Sequence, residues 1–264
     1  MNLHRMNIMV ENELLREIKQ RSWALKLEYE DKHLPWHSIH QIMAQFEEPF
    51  DEVKVATICA QKATPGSKYW GMSVEEIIAS WQEKCDKAAY KGVGLDTYIQ
   101  TVLHGVEAPE IEDESLIKKC RQFDDFKEKV LDKNGLTFVG SEVWINSARY
   151  GIRGRLDALF IMNDQLVVFD WKNNDEFKTS QYEMMKGPLW EYPKSDIAKF
   201  TIQVYSYKYI LEKEMDLKVS GCRIIQFKEN DWISHRPIFG YSAAFMEKLF
   251  SFALEQINEK QNGN

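Results

Sequence analysis

Ile152-Arg-Gly-Arg-Leu-Asp-Ala-Leu-Phe-Ile-Met162, Asn163-Asp164 and Gln165-Leu-Val-Val-Phe-Asp-Trp-Lys172 read together as one β-hairpin. Two β-rich apolar stretches flank a polar pair of the kind that favours positive φ in a tight turn. With the turn centred on Asn163 and Asp164, Asp157 faces Asp170 and Arg155 faces Lys172. Alternation then places these four on one sheet face and Leu156, Ala158, Phe160, Val167, Phe169 and Trp171 on the other. Leu159, Ile161, Leu166 and Val168 cover the turn end of the first face, which predicts a sheet buried on both sides with one charged pocket.

Directly opposed side chains have Cβ atoms roughly 4.5 to 5.5 Å apart, and like charges at that spacing cost stability. A divalent cation removes the cost. Hard ions such as Mg²⁺ take oxygen ligands, commonly one or two protein carboxylates completed by water and phosphate, so the two aspartates make a suitable seat. Lys172, two residues beyond Asp170 on the same strand and face, is placed to orient or activate a metal-bound water and to help neutralise a phosphorane-like transition state. A charged strand end with a solvated Asp and a Lys–Arg pair fits the hairpin equally, and the hairpin alone leaves both readings open.

The 264 residues, 44% of them hydrophobic, suffice for one large domain or a domain with a helical extension. Cys59, Cys85, Cys120 and Cys222 show no CxxC or CxH spacing, so neither zinc nor an iron–sulfur cluster is indicated and reduced, mostly buried thiols are expected. No leader pattern and no long apolar run occurs, which points to a cytoplasmic protein outside the membrane. The net charge of -7 argues against non-specific coating of nucleic acid. Its distribution matters more than its sum: Arg149 to Lys208 carries nine basic and eight acidic residues, and two of those acids are the proposed metal ligands.

Periodicity predicts helices at Val10 to Tyr29, Trp36 to Phe46 and Val74 to Lys87, with a capping box at Ser73 and Glu76. Further helices are expected at Gly92 to Leu103 and Leu116 to Leu131, after the acidic connector 107–115. Strands follow at Thr137 to Ile145, Ile152 to Ile161 and Leu166 to Lys172, then a long loop from Asn173 to Lys194, mobile or ordered by substrate. A helix from Asp196 to Met215, a strand from Val219 to Phe227 and a C-terminal helix from near Ser242 complete the chain. The fold class is therefore α/β, a central mixed β-sheet with flanking helices. A helical N-terminal part, 1–90, packs on a core, 91–264. His33, His37 and His40 have metal-compatible spacing, but packed or surface histidines explain them and they are set aside.

Gly154-x-x-Asp157, Asp170-Trp-Lys172 and Gln203-Val-Tyr-Ser-Tyr207, in that order, resemble the motif set of the PD-(D/E)XK nuclease superfamily, in its RecB-like branch of phage and mitochondrial-genome-maintenance exonucleases. Glu142 sits where that branch has its Glu, and Lys91-Gly-Val-Gly-Leu-Asp96 where it has Gly-Thr-x-x-His, with Val93 and Asp96 departing from the pattern. The resemblance implies a restriction-endonuclease-like αβββαβ core and a DNA exonuclease dependent on Mg²⁺ or Mn²⁺. In it Asp157 and Asp170 are metal ligands; Asp96 either joins them as a carboxylate in place of the His or is a surface residue. Lys172 is the catalytic lysine and Glu142 a supporting acid. Gln203 and Tyr207 are active-site or DNA contacts, with Arg155 and Gly154 on the substrate side. It further implies DNA ends as substrate, in recombination, repair or phage replication, beside a strand-annealing protein supplied in trans. An endonuclease of the same fold and a non-catalytic DNA-end binding protein are the alternatives.

Overall fold

The computed structural model describes residues 3–262. Helix α1 (Leu3–Glu30) precedes a two-residue strand β1 (His37–Ser38) and the short α2 (Ile39–Met43), α3 (Glu52–Lys62), α4 (Val74–Leu103) and α5 (Glu114–Phe126). Strands β2 (Thr137–Ser147), β3 (Ile152–Met162) and β4 (Gln165–Lys172) are followed by a small ribbon, β5 (Thr179–Met184) and β6 (Pro193–Ser195). Helix α6 (Asp196–Lys213), strands β7 (Val219–Phe227) and β8 (Trp232–His235) and helix α7 (Ala243–Asn262) end the described chain.

The hairpin forms in the expected register. Asn163 and Asp164 both have positive φ, 51° and 60°, and the ladder runs from Met162–Gln165 to Ala158–Phe169. β2 lies antiparallel along the other edge of β3, β4 pairs in parallel with β7, and β7 carries β8 on its outer edge, giving a six-stranded mixed sheet. The sheet is buried on both sides. One face packs under Ile18 of α1, Ile42 of α2, Ile202 of α6 and Phe250 of α7. The other meets Leu95 and Ile99 of α4 and Phe123 and Phe126 of α5, whose rings interleave with Phe169, Trp171 and Phe227.

Several expectations need correction. The helices predicted at Val74 to Lys87 and Gly92 to Leu103 are one helix, α4, which crosses the boundary at residue 90; residues 1–2 and 263–264 of the proposed division lie outside the described residues. Glycine in a helix costs only about 0.5–1 kcal/mol, and Gly94 has a packing use, since a Cβ there would come within 2.6 Å of Leu116 on α5. Trp36 to Phe46 is not one helix: β1, α2 and a 3-10 turn share it, with Ser38 capping α2 through a capping box with Gln41. The predicted loop from Asn173 to Lys194 holds β5, a 3-10 turn and the start of β6. Among the thiols, Cys120 and Cys222 are buried, while Cys85 is exposed and all four are free. No described helix is long and apolar enough to cross a membrane.

The sheet has one irregularity that matters for function. β2 occupies one edge of β3, except at Asp157, and β1 and β4 share the other: β1 takes Ile152 and Arg153, β4 takes Ala158 to Met162. Gly154 to Asp157 is left between them without a ladder partner on that edge. Alternation resets in this gap, so Leu156 joins the α6-side core with Leu159, while Ala158 joins the α5-side core. Leu156 therefore does not share a face with Ala158, Phe160 and Trp171.

Candidate active site

Asp157 fills the gap in the ladder. Its Oδ2 accepts a hydrogen bond from the backbone N–H of Trp171 at 2.8 Å, so the side chain does for β4 what a backbone carbonyl would have done. Across the gap Asp170 is wholly buried. Lys172 Nζ lies 2.7 Å from Asp170 Oδ2, but off the direction of a well-formed hydrogen bond, so neither carboxylate oxygen has a well-directed donor. Buried carboxylate oxygens left in that state are costly and call for an explanation.

A relay from α6 holds the lysine. Lys172 Nζ donates to Gln203 Oε1 at 3.1 Å, Gln203 Nε2 donates to the Tyr207 hydroxyl at 3.1 Å, and that hydroxyl donates to the Arg155 carbonyl at 2.9 Å. Gln203 and Tyr207 are neighbours one helical turn apart, which is why the amide and phenol meet. Both are buried, so as placed they position Lys172 and the β3 backbone and do not reach DNA. Gly154, expected on the substrate side, is likewise buried: a Cβ there would fall on Ile39 and within 2.7 Å of Tyr207. Its role is to let α2 and α6 close over β3.

Arg155 is the correction to the four-residue face. Its neighbours Gly154 and Leu156 face the α6 side, so Arg155 faces the opposite way, pairs across β2 with Trp144 and forms an ion pair with Glu142 at 2.6 Å. Arg155 remains half exposed and available to a ligand. Glu142 has φ 53° in mid-strand, between the paired residues Ser141 and Val143. That left-handed excursion costs about 1–3 kcal/mol and is the kind of strain that collects at working sites.

The electrostatics tie these groups together. Burial first, and Asp157 second, push the Asp170 carboxyl up to about 7 against the opposing pull of Lys172. Burial also raises Asp157, opposed by Lys172 and the Trp171 N–H. Asp96, on α4, is pushed up to about 7 by burial and then by Asp157 and Glu142, which places it at the same pocket. Burial works against the charge on Lys172, yet Asp170 and Asp157 outweigh it and hold the ammonium above its usual range. Lys172 is therefore a fixed cation at neutral pH, suited to stabilising negative charge and unsuited to abstracting a proton.

Among the described residues, no group of three or more His, Cys, Asp or Glu side chains converges closely enough to hold a metal. Asp96 is thus near Asp157 without forming a three-ligand set with the pair. The pair itself fits a hard divalent ion. Its donors are all oxygen, Asp170 has both of them uncommitted to any well-directed hydrogen bond, and such ions often take only one or two protein carboxylates.

One residue near the aspartates is among the histidines set aside on sequence grounds. His40 stands on α2 over the gap; burial lowers its pKa first, Lys172 lowers it further, and Asp157 pulls the other way. The usable signal was the Ser38–Gln41 capping box, which fixes α2 immediately after β1. His37 instead pairs along β3 with its N–H on the Gly151 carbonyl. A scan against protein-family models and a search of curated proteins return no match to this chain.

Proposed function

We propose that this protein is a divalent-metal-dependent deoxyribonuclease that degrades DNA from its ends, on the pattern of the PD-(D/E)XK nucleases. The observation that carries the reading is Asp170: a wholly buried carboxylate, without a well-directed donor on either oxygen, beside Asp157 and against Lys172. Lys172 supplies one positive charge to the two carboxylates, a hard cation would supply the remainder, and the complete burial of Asp170 sets it apart from a solvated strand end. Mg²⁺ or Mn²⁺ held by Asp157 and Asp170 would supply Lewis-acid polarisation of the scissile phosphate.

The chain's own residues do the rest. Lys172, held as a cation by the two aspartates and aimed by Gln203, offsets the negative charge that grows on the phosphoryl oxygens as water adds to phosphorus and the P–O bond to the leaving sugar breaks. Arg155 and His40 flank the pocket from opposite sides and can grip neighbouring phosphates. Glu142 restrains Arg155 through their ion pair. Expected with purified protein and Mg²⁺ is the loss of linear DNA while covalently closed circles survive, followed on a gel over time. Nicking or linearisation of the circle would make the enzyme an endonuclease. DNA binding with no turnover in any divalent metal would leave only an end-binding protein.

A further inference from the structure

We infer that the cleft between α1 and β2 is a binding track for single-stranded DNA leading to the Asp157–Asp170 pocket; the choice of ligand rests on the nuclease reading above. The cleft is walled by Trp23, Lys19 and Lys26 of α1 and by Trp144 and Arg153 beside Glu142 on the sheet. Both indoles are more than half exposed, Trp23 at 56% and Trp144 at 54%. A single exposed tryptophan is ordinary, whereas two across one basic cleft form a surface that base stacking would cover.

The cations interleave with the rings. Lys26 Nζ lies 4.5 Å from the centre of the Trp23 ring, and the Arg155 guanidinium 5.9 Å from that of Trp144. Lys26 also meets Glu30 one turn on, at 3.4 Å, while Lys19 and Arg153 form no ion pair among the described residues. Glu142, the one acid lining the cleft, is itself paired with Arg155, so the cleft is basic.

The walls are rigid and continuous with the pocket. Ser22 Oγ donates to the Trp144 carbonyl at 2.8 Å, and Asn146 Nδ2 donates to Ser22 Oγ at 2.8 Å, locking α1 to β2 directly beneath the two indoles. Arg155 spans the junction: its side chain meets Glu142 at the pocket end and Trp144 at the cleft end. From Glu142 to Asn146 the strand advances about 13 Å. The neutral polar groups of the lining, Ser22 and Asn146, bond to one another and to the Trp144 carbonyl, and an aromatic-and-cation track of this kind suits a strand whose bases are unpaired and read without sequence preference.

The test is binding of a fluorescein-labelled thymidine oligonucleotide to the full chain in chelator, read by anisotropy, so that the result does not depend on turnover. Trp23→Ala and Trp144→Ala should each weaken binding about 5- to 100-fold, the range expected from loss of one stacked base. Arg153→Gln should reduce the slope of log affinity against log salt by about 0.7. Trp190→Ala, which removes an exposed indole from a different part of the chain, should change neither. Unchanged affinity in both Trp variants, an equal loss in Trp190→Ala, or a duplex of the same length competing as well as the single strand would overturn the track. Trp-dependent binding without any DNA cleavage in divalent metal sinks the nuclease reading and leaves the track standing, and cleavage with Trp-independent binding does the reverse.

Discussion

Lys172→Ala will lower the single-turnover rate of phosphodiester cleavage by about 10²–10³ fold, the usual cost of removing one preorganised group that stabilises transition-state charge. The substitution removes the one cation that faces Asp170 at 2.7 Å, and the carboxylate pair should respond by retaining a proton more firmly. That response keeps the fold intact, because a neutral acid is easier to bury than an unpaired carboxylate. DNA binding should survive, since the track-lining residues are untouched. Lys172→Arg should not restore the rate: the ammonium fits between Asp170, Gln203 and the Phe200 ring, and a planar guanidinium there would displace the relay. Release of an end label under single-turnover conditions, with circular dichroism to confirm folding, measures both variants. An undiminished rate in Lys172→Ala contradicts the assigned role.

Phe126→Ala will destabilise the protein by about 3–5 kcal/mol, the range for removing a large aromatic from a packed core. Phe126 is fully buried at the end of α5, with ring centres of Phe169, Trp171 and Phe227 each at 6.0 Å and Trp232 at 5.1 Å. Four of its neighbours are rings in edge-to-face contact that cannot move into the space without breaking their own packing; Met162 and Leu136, which line the cleft beside it, are the side chains able to fill part of it. The effect should extend to function. Phe169 and Trp171 flank Asp170 on β4, so a collapsed α5-side core shifts the carboxylate on the other face. Urea unfolding followed by tryptophan fluorescence gives the stability change; a loss below about 1 kcal/mol would show that the cluster repacks.

The hairpin was readable from sequence because its information is local: a turn pair, two β-rich runs and strict alternation from Ala158 to Phe169. The faces of Arg155 and Leu156 were not, because alternation changes at Asp157, where β3 parts from β4 and lies opposite the left-handed Glu142 of β2, and no local pattern marks that point. A two-residue strand such as β1 has no periodicity to detect. The place of His40 near Asp157 exists only once β1 has paired. Gly154 shows the converse case. Its motif position was clear, yet whether a glycine serves a ligand or makes room for a neighbour depends on Ile39 and Tyr207, which lie far away in sequence. Asp96, Glu142, Asp157, Asp170, Lys172, Gln203 and Tyr207 come together around one pocket, but only the structure separates those that face it from those that support the lysine.

Calorimetric titration of Mg²⁺ or Mn²⁺ shows whether Asp157 and Asp170 form a seat for a hard divalent ion. Raised carboxylate pKa values mean that protons compete with the ion. At pH 8 Asp170, at about 7, has lost its proton and binding should be strongest; below that value affinity should fall by about tenfold per pH unit for each proton displaced, with proton release into buffer. The same shift makes this group's own contribution to metal-free stability largest on the acid side, lost as pH rises from 3.8 to about 7. One ion per chain is expected at pH 8, with weaker binding at pH 6 and no binding in Asp170→Asn. Absence of binding at pH 8 with either ion, or unchanged binding in Asp170→Asn, would contradict the metal seat.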